Sequence, residues 1–474
     1  MTDVAADKGT PVKDKIKLGA NYWKLWTASV VSNLGDGVAG IAYPWLASAV
    51  TRDPMAIALI AIAQRIPWLV FTLPAGVITD RVDRRKIMAA MSVFRFALTL
   101  TVAIIVLLNQ DLLPSSDVIA TGDEVVSNTT VYLTLLISAL LFGVAEVLYD
   151  NAAQTILPAI VEPEGLEKAN SRLWGAEMVM NQFVGPPLGS FLIAIAFAVP
   201  FFFDAGTFAI AAALIFALSG VFTVDRSMAS PESENQGFWA EIKEGVTWLW
   251  AHPLLRPMAI ILGIMNALFS MIFATIVLFA QEVLGTTATI FAILMMAGAV
   301  GGVIGSIVAP RVSKKLGSGT SLYITLVGQI VATLVIGLAT HWIIAWIMFL
   351  FFSATAVLWN VITVSLRQTI IPDHLLGRVN SVYRFFAWGM MPIGLAFGGL
   401  IVAGSEAAGL DRVMALRMPY FVAAAALLLL FFWAAPKLTT EKIESAREEG
   451  VAAKEAATAA AAEASEEDSP SEGQ

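Results

Sequence analysis

The chain has 474 residues, 58% of them hydrophobic and only 14% charged, with a net charge of −8. A water-soluble globular protein carries about 25% charged residues, so no solvated surface can be built from this composition. There is no cysteine, and the three histidines (His252, His341, His374) lie in separate segments, which excludes disulfides, thiolate chemistry and a Cys/His metal centre and implies no cofactor.

Apolar runs near the ~20 residues that cross a hydrocarbon core as a helix fill the chain, among them Trp26 to Val50, Ala56 to Ile78, Tyr132 to Ile160 and Met418 to Ala435. Separated by charge and turn clusters, they predict twelve transmembrane helices near 22–50, 54–79, 86–108, 131–157, 171–197, 200–222, 257–284, 287–310, 319–340, 343–367, 379–404 and 418–436. The fold class is an all-α membrane protein. Ala47-Ser48-Ala49 has the look of a signal-peptidase site, but the run before it is too long and carries Asp36, so the first helix is retained.

Alternate connections are basic: Lys13, Lys15, Lys17 and Lys24, then Arg81, Arg84, Arg85 and Lys86, then Lys168 and Arg172, then Arg311, Lys314 and Lys315, then Arg378 and Lys437. The other set holds Arg52, Arg412 and Arg417 but is otherwise neutral or acidic. Lysine and arginine mark cytoplasmic loops, so both termini are expected in the cytoplasm of an inner (plasma) membrane protein. Residues 1–21 form a cytoplasmic lead, 22–222 and 257–436 two six-helix bundles, and 223–256 a linker. Phe238, Trp239, Ile242, Val246, Leu249 and Trp250 of that linker share one face of a predicted amphipathic helix lying in the membrane interface. The Ala/Glu-rich tail 437–474 carries most of the net charge, with ten acidic and three basic residues from Glu441 onward, and is expected to be disordered after about Ala446. With the tail set aside the chain is near neutral, and nothing invites nucleic acid.

The two bundles echo each other. Gln154-Thr-Ile-Leu-Pro158 recurs as Gln368-Thr-Ile-Ile-Pro372, and Asn170-Ser171 recurs as Asn380-Ser381. Transporters use such repeats to place a site at the midplane between two halves.

Gly76-Val-Ile-Thr-Asp80-Arg81-Val-Asp83-Arg84-Arg85-Lys86 resembles the G-x-x-x-D-R-x-G-R-R-K loop of the major facilitator superfamily, with Asp83 where that family has glycine. Gly185-Pro186-Pro187-Leu188-Gly189 resembles the G-x-x-x-G-P-x-x-G-G signature of its antiporter-type exporters, with Asn181 and Ser190 replacing two glycines. Ser32 to Gly37, Leu157-Pro158, Ala169-Asn170, Asp204, His252 to Arg256 and Gly377-Arg378-Val379 are similar to the branch containing the enterobactin exporter and the macrolide and tetracycline efflux proteins. The resemblance covers residues 20 to about 436. It implies a major facilitator fold and proton-driven efflux of a small amphipathic molecule, of drug or siderophore type, by alternating access. Many proton-coupled exporters carry an arginine in the fourth helix; here that helix offers Glu146 and Asp150.

Charged residues inside spans cost ~2.5–3.5 kcal/mol at the centre, so each is a functional candidate. Asp36 lies twelve residues after Lys24 and Arg65 fifteen before Asp80, ~18 and ~23 Å deep from the same side at 1.5 Å per residue. They are expected to meet, as a structural ion pair or in proton or substrate handling. Glu146 is a candidate protonation site. Asp150 is expected to face Arg81, Arg84 and Arg85 as part of a cytoplasmic gate with Gly76 and Asp80, and Arg95 and Glu177 to close a packing network. The resemblance further implies that Gly185, Pro186 and Gly189 form a seal on the fifth helix, and that Asn33, Asn266, Trp359 and Asn360 lie on cavity-lining helices. The expected partners are a small-molecule substrate, protons and membrane lipid, with the chain acting as a monomer. An importer of the same fold is the alternative; an enzyme lacks a nucleophile with its base, a metal site or a phosphate loop.

Overall fold

A computed structural model describes residues 18–114, 127–222 and 238–467, apart from a few helical side chains that include those of Gly76 and Asp80. Six helices form the first half: α1 (Gly19–Val50), α2 (Pro54–Arg81), α3 (Arg84–Leu108), α4 (Thr129–Ile160), α5 (Leu166–Ile195) and α6 (Val199–Phe216). The linker helix α7 (Phe238–Ala251) leads to α8 (Leu255–Phe273), α9 (Ala288–Leu316), α10 (Ser318–Leu338), α11 (Trp342–Ile370), α12 (Asp373–Ala407) and α13 (Arg412–Ala434). A tail helix, α14, covers Thr440–Glu467. Among the described residues, eleven helices, α2–α6 and α8–α13, are long and apolar enough to cross a membrane. The twelfth, α1, has the length at 32 residues, its apolar content diluted by Lys24, Asn33 and Asp36.

Local chemistry sets the helix starts. Asp53 caps α2 by accepting from Met55 N at 2.8 Å, with Pro54 at the first helical position; Asn128 and Asp411 cap α4 and α13. Such caps satisfy N–H groups left free at a helix start. Leu429 and Phe432 on α13 are 72% and 66% exposed, a pattern tolerable only where lipid covers it.

Equivalent helices meet in the same way in both halves. A Cβ on Gly37 of α1 would lie 2.6 Å from Asn181 O and 3.0 Å from Gly185 Cα of α5. In the second half a Cβ on Gly394 of α12 would collide with the backbone of Ala267 on α8. Backbone-to-backbone contact of this kind is how membrane helices pack tightly without a hydrophobic driving force.

Three large apolar clusters define the shape. One joins the halves, with Trp45, Leu46 and Phe201 packed together with Phe279, Phe291 and Tyr420. The other two stay within single halves: Tyr22, Met88 and Ile156 in the first, Met258, Trp359 and Tyr383 in the second. The joined cluster lies at the far face, where α1 ends and α13 begins. The separate clusters lie at the terminal face, where α1 begins and α13 ends. Apolar packing thus joins the halves at the far face, whereas the described clusters at the terminal face each stay within one half.

The tail departs from expectation, since α14 is helical to Glu467. Alanine, glutamate and lysine are strong helix formers, and the helix has a surface to dock on. Ile443 is fully buried, Ser318 donates to Glu444 at 3.0 Å, and Lys454 donates to Gln368 O at 2.9 Å. The seventh predicted span is also interrupted, and α8 breaks after Phe273 and resumes through Ile276–Leu278 into a π-helical turn at Phe279–Val283.

Candidate functional site

The first half encloses a group of charges contributed by five helices. Arg95 of α3 is 2% exposed, and its guanidinium lies over the rings of Tyr149 (4.3 Å), Phe208 (4.5 Å) and Phe142 (5.8 Å). It interacts through space with Asp36 of α1, Asp150 of α4 and Asp204 of α6. Glu146 of α4 and Glu177 of α5 act on the same Asp36 and Asp150. Asp204 is wholly buried with Thr207 beside it and one carboxylate oxygen unpartnered. Gly35 makes the approach possible, because a Cβ there would overlap Asp204 and Thr207.

This arrangement corrects the expected Asp36–Arg65 pair. Arg65 of α2 is exposed and without an ion pair among the described residues, while Arg95 is the base that acts on Asp36 through space. Depth along the helices agreed for both arginines, but depth does not specify the helix face. Asp204 was legible only as part of a family resemblance, and Arg95 was assigned to packing.

Asp150 also departs from expectation, turning to Arg95 rather than to the loop arginines. Arg84 donates to Thr155 O and Arg85 to Leu218 O, each at 2.7 Å. Arg85 therefore caps the carbonyl end of α6, where partial negative charge gathers, and Arg84 binds a carbonyl near the end of α4. Asp83, the departure from the family loop, caps α3 by accepting from Arg85 N at 2.9 Å and reaches Phe222 N at 3.5 Å. The Arg81 side chain is exposed, and the side chains of Gly76 and Asp80 lie outside the described residues.

On α5, Gly185, Pro186 and Gly189 are buried against α1. A π-helical stretch at Val179–Val184 precedes them. Pro186 and Pro187 lack the N–H groups that Gln182 and Phe183 carbonyls need, so the helix widens there.

Within the second half, a cavity of about 180 Å³ is lined by residues of α8, α9, α10 and α11, including Asn266, Trp359 and Asn360. Asn33 is not among them; it sits on α1, its amide donating to Ser29 O at 2.9 Å.

At the far face a polar latch crosses between the halves. Arg52 donates to Gln281 Oε1 at 2.6 Å and lies 3.5 Å from Glu282. Gln281 donates to Ser48 Oγ at 2.8 Å. Arg412 binds Glu282 at 2.7 and 3.1 Å, Glu406 at 2.5 Å and Arg52 O at 2.8 Å. The π-helical turn in the α8 extension sets Gln281 and Glu282 side by side for these contacts. As single charges in short loops, these residues carried no sequence signal beyond topology.

Residues 25–395 match the sequence model of the Major Facilitator Superfamily. The chain belongs to that superfamily. Among its relatives is the multidrug efflux pump Tap of Mycolicibacterium fortuitum, 26% identical over 406 residues, spanning 83% of this chain and 91% of that protein. The pump of the same name from Mycobacterium tuberculosis (strain ATCC 25618 / H37Rv) is 24% identical, spanning 83% and 89%. Solved structures with this fold include a bacterial homologue of the iron transporter ferroportin in an inward-facing state, with a TM-score of 0.65 at 17% identity covering 88% of this chain and 98% of that one. The nucleoside transporter NupG gives a TM-score of 0.62 at 10% identity, covering 88% and 99%. The chain is a multi-pass membrane protein of a transporter family.

Proposed function

We propose that this protein exports small amphipathic molecules of drug type across the cell membrane in exchange for protons, with the terminal face and both termini in the cytoplasm. The observation that carries the reading is the set of five carboxylates, Asp36, Glu146, Asp150, Glu177 and Asp204, around the single buried Arg95. Asp204 is wholly buried, Asp36, Glu146 and Asp150 are half-buried and Glu177 is exposed at the edge of the group; such an excess of negative charge within the spans calls for positive charge from outside, and either protons or a cationic ligand supplies it. Exchange of one for the other ties an inward proton to an outward substrate. The Tap relatives, named as multidrug efflux pumps, support the same direction.

In this reading the terminal face, where no described apolar cluster joins the halves, admits substrate from the cytoplasm while the Arg52–Glu282–Arg412 latch closes the outside. Substrate passes Asn33, Asn266, Trp359 and Asn360 between the halves, and the loop from Gly76 to Lys86, with Asp80, closes the cytoplasmic side in the alternate state. The glycine contact of Gly37 with Gly185 keeps α1 and α5 moving as one body. A single chain holds the whole pathway and works as a monomer in lipid. Everted membrane vesicles test the proposal, since an acid interior should drive uptake of tetraphenylphosphonium and dissipating the gradient should abolish it. Uptake indifferent to the gradient, or accumulation in the opposite direction, would contradict it.

A further inference from the structure

We infer that the cavity in the second half is a one-ring subsite, which buries a single uncharged aromatic ring of the substrate while the charged remainder lies in the opening toward the first half. The substrate class is then aromatic cations whose positive charge sits off the buried ring. This rests on the efflux reading and adds to it the division of labour between the halves.

Volume is the first argument. An apolar cavity of ~150 Å³ accepts benzene, whereas whole drug-sized ligands occupy pockets of ~300–1,000 Å³. At about 180 Å³ this cavity has room for one ring and not for the molecule that carries it. Its walls belong to α8, α9, α10 and α11 alone, so it is a recess inside one half.

The lining is the second argument. Phe269, Phe273, Phe349 and Phe352 form a connected aromatic wall, with ring centroids 4.4 Å apart for Phe269–Phe273, 5.3 Å for the stacked Phe269–Phe352 and 5.9 Å for the edge-on Phe273–Phe349. A further ring entering such a wall finds both faces and edges to meet. None of the described lining residues is charged, so an ammonium or carboxylate pushed into the recess would be buried without a partner, at prohibitive cost. The polar groups are neutral and few. Asn266 has its amide N–H committed to Ala387 O at 2.7 Å, leaving its oxygen as an acceptor, and Trp359 Nε1 is a buried donor without a partner. They suit a neutral ring substituent and offer no counter-ion.

Charge placement is the third argument. The carboxylates of the site all lie on α1, α4, α5 and α6 of the other half, so ring and charge of one ligand are recognised by different halves. Such a ligand bridges them, and neither a bare cation nor an uncharged ring satisfies both.

The test uses the full chain in nanodiscs with a single cysteine, Ser353→Cys, at the cavity wall, a site made unambiguous by the absence of native cysteine. Three probes are compared for protection of that thiol from N-ethylmaleimide: tetraphenylphosphonium, with rings and charge; triphenylphosphine oxide, with rings only; and tetraethylammonium, with charge only. Both ring compounds should protect and tetraethylammonium should not. Adding Phe352→Leu should weaken protection by both ring compounds by about tenfold, the usual scale for losing one aromatic contact, while Phe352→Tyr keeps it. Asp36→Asn should weaken tetraphenylphosphonium and leave triphenylphosphine oxide unchanged. Protection by tetraethylammonium, no protection by either ring compound, or indifference to Phe352→Leu would overturn the inference. Gradient-driven export of tetraphenylphosphonium by the parent chain is measured separately. Export without ring-selective protection overturns the subsite alone, and ring-selective protection without export supports the subsite and overturns the efflux reading.

Discussion

Replacing Glu282 by glutamine should open the far face. Glu282 is 10% exposed and accepts charged hydrogen bonds from Arg412 at 2.7 and 3.1 Å, with Arg52 at 3.5 Å. Hydrogen bonds to charged groups contribute ~1.5–3 kcal/mol each, and burial at this level leaves little solvent screening. Glutamine keeps one acceptor oxygen but turns an amide toward a guanidinium, so the net loss is ~2–3 kcal/mol, confined to the conformation in which the latch is closed. That is ~30- to 150-fold in the equilibrium between the two conformations. A chain resting at ~99:1 in favour of the closed far face would move to between ~3:1 and ~2:3. Ser353→Cys in the cavity reports the change, through labelling by a membrane-impermeant thiol reagent added outside intact cells. The labelled fraction should rise from ~1% to between ~25% and ~60%. Unchanged labelling in Glu282→Gln, and again in Arg52→Gln, would refute the latch.

Other sites give sharper contrasts between neighbours. Arg95→Gln should abolish gradient-driven export, because it strips the carboxylate group of its buried cation, while Arg65→Gln should retain most of it in the same vesicle assay. Gly185→Ala should cost at least ~1–3 kcal/mol by overpacking, as a Cβ there would lie 2.5 Å from Gly37 Cα, whereas Gly175→Ala meets nothing within 4 Å and should be neutral or slightly stabilising; melting temperatures in detergent separate them. His252 lies outside the spans and accepts from Leu254 N and Leu255 N at 3.2 Å through Nδ1, and burial lowers its pKa. A lowered folded value means that its stabilisation is complete above about pH 6.5 and declines as pH falls below that, since the unfolded chain then takes up the proton first. Acidifying from about pH 7.5 to 5.5 should therefore loosen the α7–α8 junction, measurable by thermal shift, and His252→Asn, which keeps an acceptor cap, should remove that dependence.

Helix number, the two halves and the family were legible because membrane spans and loop charges are local properties of the sequence. Pairing between helices was not. Arg65 and Arg95 are both arginines inside apolar runs; only the rotation of α2 and α3 against their neighbours leaves one exposed and sends the other under Tyr149 and Phe208. Asp150 was read by its distance from the loop arginines, yet its helix face turns it to Arg95. The loop arginines went instead to the carbonyls of Thr155 and Leu218, acceptors that every residue carries and no motif marks. Asn266, Trp359 and Asn360 share a cavity because α8 and α11 pack with those faces together, while Asn33, of the same residue type, only folds back on its own helix. The tail was misread because acidic composition signals disorder, whereas Ile443 and Gly450 give it a docking face that packs α14 against Thr369 and Ile370.

The central claim, that substrate and protons compete for one group of carboxylates around the buried Arg95, is tested most directly by proton release. Purified protein in lightly buffered detergent is mixed with tetraphenylphosphonium, whose charge is permanent, and the pH is followed with an indicator dye. The account predicts that binding expels protons in proportion to occupancy and that Asp36→Asn reduces the number expelled. Saturable binding of tetraphenylphosphonium with no proton released would contradict it.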